Sequence, residues 1–407
     1  MSSPNKTGVY LIGALGSIAS TVAAGALALK KKLAAPTGMV TCSQIFDGVD
    51  LVEPEELVFG GCDIRTDASS WDIFEKMAPV APGILMEIKA ELEEFYQHID
   101  CGSARNCGEA IESLVQRADA KEKSLEQEIQ DMRDSLRAFR RKYMLDEIIV
   151  VNLASTEPPL ELDAGHLDFA SLQKLIVGNE TERLRASTLY SCAAILERCA
   201  YINFTPSNAA LMPAVLQLAA ERGVPVMGND GKTGETLVKS ALAPMFAWRN
   251  LDIMSWEGFN ILGNMDGRIL DHPGNRESKI RTKDLMLSKI LGYSPHTSVS
   301  IGYVPSLDDQ KTAWDFIHFK GFLGVKMSLQ FIWQGYDSIL AAPLVLDLVR
   351  LAELAKRRAE AGAMTHLASF FKAPVGVEAH ALQDQVRMLV DYAERLKGEA
   401  GSRSPPK

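Results

Sequence analysis

The sequence lacks an excess of positive charge and any clustered cysteine motif. Its 407 residues include 43 Lys and Arg but 52 Asp and Glu, which gives a net charge of -9. Nucleic acid and anionic membranes would repel such a chain, so a general affinity for either is excluded, although a local basic pocket can still bind a small anion. None of the six cysteines forms a CxxC pair or a zinc-finger-like Cys/His run. We therefore predict reduced thiols in a cytoplasmic protein; a Cys101–Cys107 bridge formed on oxidation is the alternative.

The sequence also lacks a leucine-rich run of the kind that crosses a membrane. The uncharged stretch from Gly8 to Leu29 is long enough to be considered as an anchor or a signal peptide, but it is rich in Gly, Ala, Ser and Thr. Its basic cluster, Lys30–Lys32, follows the apolar run, whereas a signal peptide carries its charge before it. A buried strand, a turn and a helix explain the small residues better, so we predict a soluble chain with no membrane partner.

The length fits about two domains, and 47% hydrophobic with 23% charged residues is ordinary for a folded protein. Gly8–Ile12 is a short apolar run typical of a strand, and Ser17–Lys32 has the pattern of a helix with a basic last turn. The turn that joins them begins at Gly13 and continues with Ala14, Leu15, Gly16 and Ser17. Free backbone N–H groups at such a turn bind pyrophosphate, so it is a candidate dinucleotide site; the alternative is a tight turn without a ligand.

Three further segments have the pattern of strands, namely Gly38–Ser43, Leu57–Phe59 and Glu147–Leu153. The last two are followed by small or polar residues, which are Gly60, Gly61, Cys62 and Asp63 after one strand and Ala154, Ser155 and Thr156 after the other. At the carboxyl edge of a parallel sheet such residues face a ligand crevice. Asp63 is therefore a candidate acceptor for a ribose hydroxyl, or else a plain turn aspartate.

One long helix is predicted from residue spacing alone. Apolar residues spaced 4, 3, 4, 3 and 4 apart form one stripe, made of Leu125, Ile129, Met132, Leu136, Phe139 and Tyr143. We expect the stripe to pack on its own domain or on a sister subunit; a coiled-coil contact with a partner is the alternative.

Two polar turns stand out in the central part of the chain. The glycine-rich turn Gly228–Gly234 follows the apolar run Val224–Met227 and presents Asp230 and Lys232. It is not a P-loop, because Val226 stands where a P-loop needs glycine. The second turn is Asn264–Gly267, preceded on the same run by Asn260.

Four lysines lie in settings that suit chemistry. Lys279 and Lys283 are spaced i, i+4 on one face of a predicted helix, where an anion between them would reverse a repulsion of ~0.2–0.5 kcal/mol. A solvated basic face is the alternative. Lys311 follows the predicted strand Val299–Val304, and Lys372 lies among aromatic residues, where partial burial would lower its pKa and make it a candidate base.

Two aspartates lie in the same part of the chain as these lysines. Asp309 belongs to the polar cluster before Lys311, and Asp337 precedes Ser338, where it is a candidate helix N-cap. Taken singly, each is more readily explained by structure than by chemistry.

Taken in order, these clusters resemble the myo-inositol-1-phosphate synthase family. The match runs from about Gly8 to Pro374 and is dense from Ala186 onward. The blocks that carry it are Ser187–Tyr190, Tyr201–Asn203 with Pro206 and Asn208, Gly228–Gly234, Leu262–Gly267, Ser278–Lys283, Asp309–Lys311, Asp337–Pro343 and Lys372–Pro374.

The resemblance implies an α/β fold with a Rossmann-type NAD-binding domain and an inserted α+β domain for catalysis and oligomerisation. Residues 1–235 with 338–407 would form the first domain and residues 236–337 the second, assembled as a homotetramer. No ligand cluster compels a metal, and a divalent or monovalent cation stays open.

The activity implied is an isomerase that closes glucose 6-phosphate into myo-inositol phosphate. Bound NAD oxidises C5, the ketone acidifies C6, an intramolecular aldol reaction closes the ring, and the hydride then returns. The catalytic residues implied are Lys279, Lys283, Lys311, Lys372, Asp230, Asp337, Asn260 and Asn264. The cofactor-binding residues implied are Gly13, Ala14, Leu15, Gly16, Ser17, Asp63, Ala154, Ser155, Thr156, Asn203, Asn229, Lys232, Ser278, Asp309 and Ser338.

The chain also departs from the family pattern. Its first turn lacks several glycines, and non-family residues stand at other positions, namely Phe204, Asn229, Glu235, Met265 and Gly302. Two alternatives follow: a related cyclase acting on another hexose phosphate such as fructose 6-phosphate, and a non-catalytic NAD-binding regulatory relative. The four lysines and the two aspartates of the family site, all retained, argue against the second alternative.

Overall fold

A computed structural model describes residues 6–65, 79–116, 123–264, 267 and 286–402. Seven of its strands form one parallel sheet with the order β11-β6-β5-β4-β1-β2-β3. They are β1 (Thr7–Ile12), β2 (Val58–Asp63), β3 (Ile99–Cys101), β4 (Glu147–Asn152), β5 (Ala200–Asn203), β6 (Pro225–Gly228) and β11 (Gly362–Ala363). The order reverses between β1 and β4, which is the point where a doubly wound sheet opens a ligand crevice. The predicted α/β fold is confirmed.

Helices cover both faces of this sheet. The helices, in chain order, are α1 (Ser17–Lys30), α2 (Pro82–Tyr96), α3 (Glu109–Glu112), α4 (Leu125–Tyr143), α5 (Phe169–Val177), α6 (Ala186–Leu196), α7 (Pro213–Arg222), α8 (Gly234–Trp248), α9 (Asp337–Arg357) and α10 (Leu382–Ser402), of which α8 packs on a second sheet. Side chains of β1 alternate between two cores: Val9 and Leu11 pack with α1, α2, α9 and α10, and Tyr10 and Ile12 with α4 to α7. Burial on both faces explains why β1 reads as a continuous apolar run rather than an alternating one.

Helix α4 confirms the predicted stripe. Five of its six members are buried in the core of their own domain, and Tyr143 packs against the same cluster. Ser124 caps the helix: its hydroxyl accepts from the Gln127 N–H, and the side-chain oxygen of Gln127 accepts from the Ser124 N–H. The stripe therefore holds the domain together.

A second, four-stranded sheet has the order β10-β9-β7-β8. Its strands are β7 (Asp252–Leu262), β8 (His296–Tyr303), β9 (Gln310–Lys320) and β10 (Lys326–Tyr336). One face packs on α8 through Trp256 and Ile317, which contact a cluster that includes Phe246. The chain then returns to the core of the parallel sheet through α9, which begins directly after β10.

Three local predictions are wrong. The segment Gly38–Ser43 is not a strand, because Val40–Cys42 forms a 3-10 turn whose N–H groups bind the carboxylate of Asp347. Gly60–Asp63 is not a loop but the end of β2, paired with β1. Asp337 is not an N-cap; it is the first residue of α9, after the cap residue Tyr336.

Two expectations of the sequence concern cysteines and membranes. All six cysteines are free thiols, so the Cys101–Cys107 bridge is not formed. Within the described ranges, no helix is both long and apolar enough to span a bilayer.

Candidate active site

The glycine turn after β1 is held by backbone and carboxylate contacts. Gly13 has a φ of +79°, and a Cβ added there would lie 2.9 Å from the Cα of Ala154, so glycine is required for this close approach. The N–H of Leu15 donates to Asp63 Oδ2 at 2.9 Å, and the other oxygen of Asp63 accepts from Arg65. Among the described residues, no side chain caps the N-terminus of α1, which begins at Ser17. Its first N–H groups can therefore bind an anion.

A cavity of about 310 Å³ runs from this turn to the carboxyl ends of β4, β5 and β6. Many of the predicted site residues line it: Gly13, Leu15, Gly16, Ser17, Asp63, Ala154, Ser155, Thr156, Asp230, Asn264, Asp337, Ser338 and Lys372. The predicted cofactor turn and several predicted catalytic residues thus share one cavity.

Lys372 and Asp230 meet in this cavity. The Lys372 amine donates to Asp230 Oδ1 at 2.8 Å, and the backbone N–H of Lys372 donates to the Asp230 carbonyl at 2.7 Å. A bridge between Gly231 and Phe371 aligns the two segments. Asp230 Oδ2 is buried with no partner in the part of the chain that the structure describes. That oxygen is an acceptor available to a ligand hydroxyl.

A second lysine and aspartate meet where the second sheet leads into α9. Lys311, near the start of β9, lies 3.2 Å from Oδ2 of Asp337, at the start of α9. Asp337 lines the cavity and its side chain is 22% exposed, against 14% for Lys311. This ion pair therefore places positive charge close to the cavity.

Asp309 links two residues of the cavity wall. Its Oδ1 accepts from Asn264 Nδ2 at 3.0 Å, and its Oδ2 accepts from the hydroxyl of Ser338. Burial raises the pKa of Asp309 to about 6, against these hydrogen bonds, which lower it. The carboxylate orients both neighbours and does not itself line the cavity.

Burial has a large effect on Lys232. Its amine donates to Gln385 on α10, and the residue is 2% exposed. Burial, together with the charge of Lys372, lowers the pKa of Lys232 to about 7. Sequence reasoning assigned Lys232 to the cofactor and expected the lowered pKa at Lys372.

Other predicted residues lie around the cavity rather than in its wall. Asn203 and Asn229 bond to each other across the ends of β5 and β6, with 2.7 Å between Asn203 Nδ2 and Asn229 Oδ1. Ala14 is buried beneath the glycine turn, and Asn260 donates to Glu235 at 2.7 Å. Ser278, Lys279 and Lys283 lie outside the described residues.

Sequence reasoning missed a buried carboxylate beside the cavity. Glu157 Oε1 accepts from the N–H of Ser187 at 2.8 Å, and its Oε2 accepts from the Ser187 hydroxyl. Burial raises the pKa of Glu157. Its position directly after Ala154–Thr156, at a strand end, was the available signal. As for metals, the described ranges contain no group of three or more His, Cys, Asp or Glu side chains that could hold an ion.

Residues 7–393 match the family model of myo-inositol-1-phosphate synthase. The chain belongs to this NAD-binding family. Inositol-3-phosphate synthase 1 of Bacteroides thetaiotaomicron is 32% identical, with 97% of this chain and 96% of that protein covered. The rat protein of the same name is also 32% identical, over 86% of this chain and 69% of its own length.

Solved structures agree with this family. The inositol-3-phosphate synthase of Caenorhabditis elegans has a TM-score of 0.84 at 25% identity and covers 100% of this chain and 90% of that one. A myo-inositol-1-phosphate synthase-related protein of Thermotoga maritima has a TM-score of 0.77 at 26% identity. The match covers 95% of this chain and 98% of that one. The family's α/β architecture extends over the whole chain.

Proposed function

We propose that the protein is an inositol-3-phosphate synthase, an isomerase that uses NAD without net redox change to convert glucose 6-phosphate into myo-inositol phosphate. The observation that carries the proposal is that one cavity joins the uncapped N-terminus of α1 to the Lys372–Asp230 pair and to Asp337. A dinucleotide needs the free backbone N–H groups of the helix N-terminus, and a small polyol substrate needs charged side chains beside them.

The residues at the turn fit NAD. The first N–H groups of α1 would hold the pyrophosphate, with Gly13 and Gly16 giving close backbone approach and Asp63 bracing the turn through Leu15. Asp63 is at the end of β2, where a carboxylate can also accept a ribose hydroxyl. NAD bound there supplies the acceptor, and later the donor, of one hydride.

Lys372 and Asp230 are the proposed acid–base pair for the substrate hydroxyl at C5. The amine lies in the cavity, in contact with the carboxylate, and Asp230 Oδ2 is free to accept the hydroxyl hydrogen. Removing this proton in step with oxidation, and returning it on reduction, requires one positioned group that acts in both directions.

We propose that Lys311, paired with Asp337, stabilises the negative charge that develops on the substrate when C6 loses its proton. An ammonium beside an enolate oxygen stabilises it strongly where water is excluded. Asn264 and Ser338, oriented by Asp309, would bind ligand oxygens at the same wall. The i, i+4 spacing of Lys279 and Lys283 predicts that these two lysines hold the phosphate between them.

We further propose a cytoplasmic homotetramer that assembles through the second sheet. On the face away from α8, Phe259, Trp314 and Ile332 form a row across three strands and are 43%, 37% and 67% exposed. The Phe259 and Trp314 rings stack with centroids 5.2 Å apart. Apolar surface of this kind favours a contact with a second copy. Light scattering should give a tetramer, and Trp314→Glu should give a smaller species.

A related cyclase that acts on fructose 6-phosphate is the second candidate, and Phe204 is the observation that favours it. Its ring lines the cavity and lies so close to Gly231 that a Cβ there would be 2.1 Å from it. An aromatic residue at this family glycine position reduces the space beside Asp230.

The test uses glucose 6-phosphate carrying deuterium at C5. We expect an absolute need for NAD, supplied or already bound, no NADH accumulation at steady state, and an inositol phosphate that retains the deuterium by NMR. Stoichiometric NADH or loss of the deuterium would contradict the proposal. The same cofactor behaviour with fructose 6-phosphate but not with glucose 6-phosphate would favour the second candidate.

A further inference from the structure

A buried set of charges lies between α8 and the second sheet. The amine of Lys239 is 2.6 Å from Glu235 Oε1 and 3.3 Å from Asp315 Oδ1, and Asp315 Oδ1 also accepts from Trp256 Nε1 at 2.7 Å. All four residues are less than 5% exposed. Burial lowers the pKa of Lys239, but the charges of Glu235 and Asp315 outweigh it and raise the pKa overall. Lys239 therefore stays protonated and forms an ion pair with Glu235.

Glu235 fixes the orientation of the Asn260 side-chain amide and so decides which of its groups can bind a ligand. Asn260 Nδ2 donates to Glu235 Oε2 at 2.7 Å. An ionised carboxylate only accepts hydrogen bonds, so the NH₂ group of Asn260 must face Glu235 and its carbonyl oxygen must face away. Asn260 Oδ1 is buried and, among the residues described, has no hydrogen-bond partner. A buried acceptor is costly to leave unpaired, so this oxygen is suited to a donor from a ligand.

Asn260 lies beside the ion pair of the proposed site. On β7 and β9, Leu262 pairs with Lys311 and Asn260 pairs with Ala313, so Asn260 and Lys311 share one face of the sheet as diagonal neighbours. A Cβ added at Gly234, next to Glu235, would lie 3.8 Å from Asp337 Oδ1. The N-terminus of α8 and the end of β7 thus bring Glu235 and Asn260 near the Lys311–Asp337 pair.

We propose that Glu235 is a positioning residue that locks Asn260 with its carbonyl oxygen toward the substrate, so that the enzyme requires a hydrogen-bond donor, a hydroxyl, at that substrate position. A glutamine at position 235 would have an amide that donates or accepts, so it would leave Asn260 free to present either side of its own amide. This inference rests on the proposed function and adds a specificity determinant to it.

The experiment compares monodeoxy and monodeoxyfluoro analogues of the hexose phosphate at each hydroxyl that does not react, so C1 and C5 are left out. Fluorine is informative because it accepts a hydrogen bond but cannot donate one. In the wild-type enzyme, one position should lose at least ~10-fold in kcat/KM with both analogues. In Glu235→Gln, the Asn260 amide can turn its NH₂ group to the fluorine, so the deoxyfluoro analogue at that position should recover at least several-fold relative to the deoxy analogue. Glu257→Gln, on the opposite face of β7, is the matched control and should keep the wild-type pattern.

The double variant Glu235→Gln with Asn260→Asp is the rescue. The introduced glutamine amide donates to the introduced carboxylate, whose other oxygen again offers only an acceptor, so rejection of the deoxyfluoro analogue should return. This variant also carries the test if Glu235→Gln alone fails to fold, because it keeps the charge and the hydrogen bond.

The same analogue pattern in Glu235→Gln as in the wild type, or a double variant that still accepts the deoxyfluoro analogue, would overturn the inference. The proposed function would stand in that case, since the wild-type enzyme turns over its substrate. A wild-type enzyme that converts no hexose phosphate would overturn both.

Discussion

The amine of Lys372 lies 2.8 Å from Asp230 Oδ1, although the two residues are 142 positions apart. Asp230 follows β6, whereas Lys372 comes after the inserted sheet and after β11. Both side chains are largely buried: that of Lys372 is 12% exposed and that of Asp230 is 6% exposed. Because a buried charge is costly without its partner, activity and stability are linked at this pair.

Lys372→Met should lower kcat by ~10²-fold or more, the range for losing a positioned acid–base group. It should also lower the Tm, because Asp230 is left buried without a counter-charge. Adding Asp230→Asn should restore the Tm but not the activity. Steady-state kinetics and thermal melts measure the two effects, and near wild-type kcat in Lys372→Met would rule out the proposed base.

Lys311→Met should also lower kcat by ~10²-fold or more, with a smaller loss of Tm, since Asp337 is more exposed than Asp230. Lys326→Met, at the exposed start of β10, is the control and should change neither quantity. Equal activity in the two variants would remove Lys311 from the site.

The stability of the protein should depend on Lys232 through pH. The pKa of Lys232 is lowered to about 7 from 10.5, so between these values the unfolded chain binds a proton that the folded chain does not. Stability therefore rises with pH across this window. The Tm of the wild type relative to Lys232→Met should increase from pH 7 to pH 9, with Lys326→Met again as the control. A constant difference would mean that this amine keeps its proton in the fold.

Asp63 should support cofactor binding by bracing the turn. Asp63→Ala leaves the N–H of Leu15 without its acceptor, which costs about 1–3 kcal/mol and should weaken NAD binding by about tenfold or more in calorimetry. Asp63→Asn keeps an acceptor for Leu15, so most of the NAD affinity should remain. If the asparagine variant binds NAD as poorly as the alanine variant, the carboxylate acts on the ribose directly.

The ionisation of Asp309 should be visible in the pH profile. Its pKa is raised to about 6, so as pH falls through this value protonation removes an acceptor from Asn264 or Ser338. The kcat/KM of the wild type should fall over the same range, whereas Asp309→Asn should be low at every pH. Because ionisation of a group with a raised pKa costs stability, the Tm of Asp309→Asn relative to wild type should improve from pH 5 to pH 7. A wild-type profile that is flat down to pH 5 would contradict this role.

Local spacing was sufficient for the parts of the fold that depend on neighbours in sequence. The stripe of α4 and the turn from Gly13 to Ser17 were predicted because periodicity and glycine placement are local signals. The false strand at Gly38–Ser43 has the opposite cause, since the Val40 and Thr41 N–H groups bind Asp347, 307 and 306 positions away. No local pattern reports such a partner.

The site divides in the same way. Asp230 and Lys372 each stood out in the sequence, but only the order of blocks across the family joined them. Gln385 gave no signal, and its contact with Lys232 spans 153 positions. Burial lowers the pKa of Lys232, because α10 packs on the turn after β6, and no local pattern reports this packing. The chemical roles of all these residues stay predictions.

The parallel sheet is interrupted in the chain, and this imposes an order on biosynthesis. A ribosome completes β1 to β6 and then the entire second sheet before it produces α9, β11, Lys372 and α10. One face of the parallel sheet therefore lacks its covering helices during the translation of more than a hundred residues. Its apolar core stays incomplete for that time, because α9 and α10 supply much of it. Contacts of such long sequence separation form slowly and leave apolar surface exposed to aggregation or chaperones. Catalytic competence consequently arises late in synthesis, and slower translation between β6 and α9 lengthens the period in which the chain needs protection.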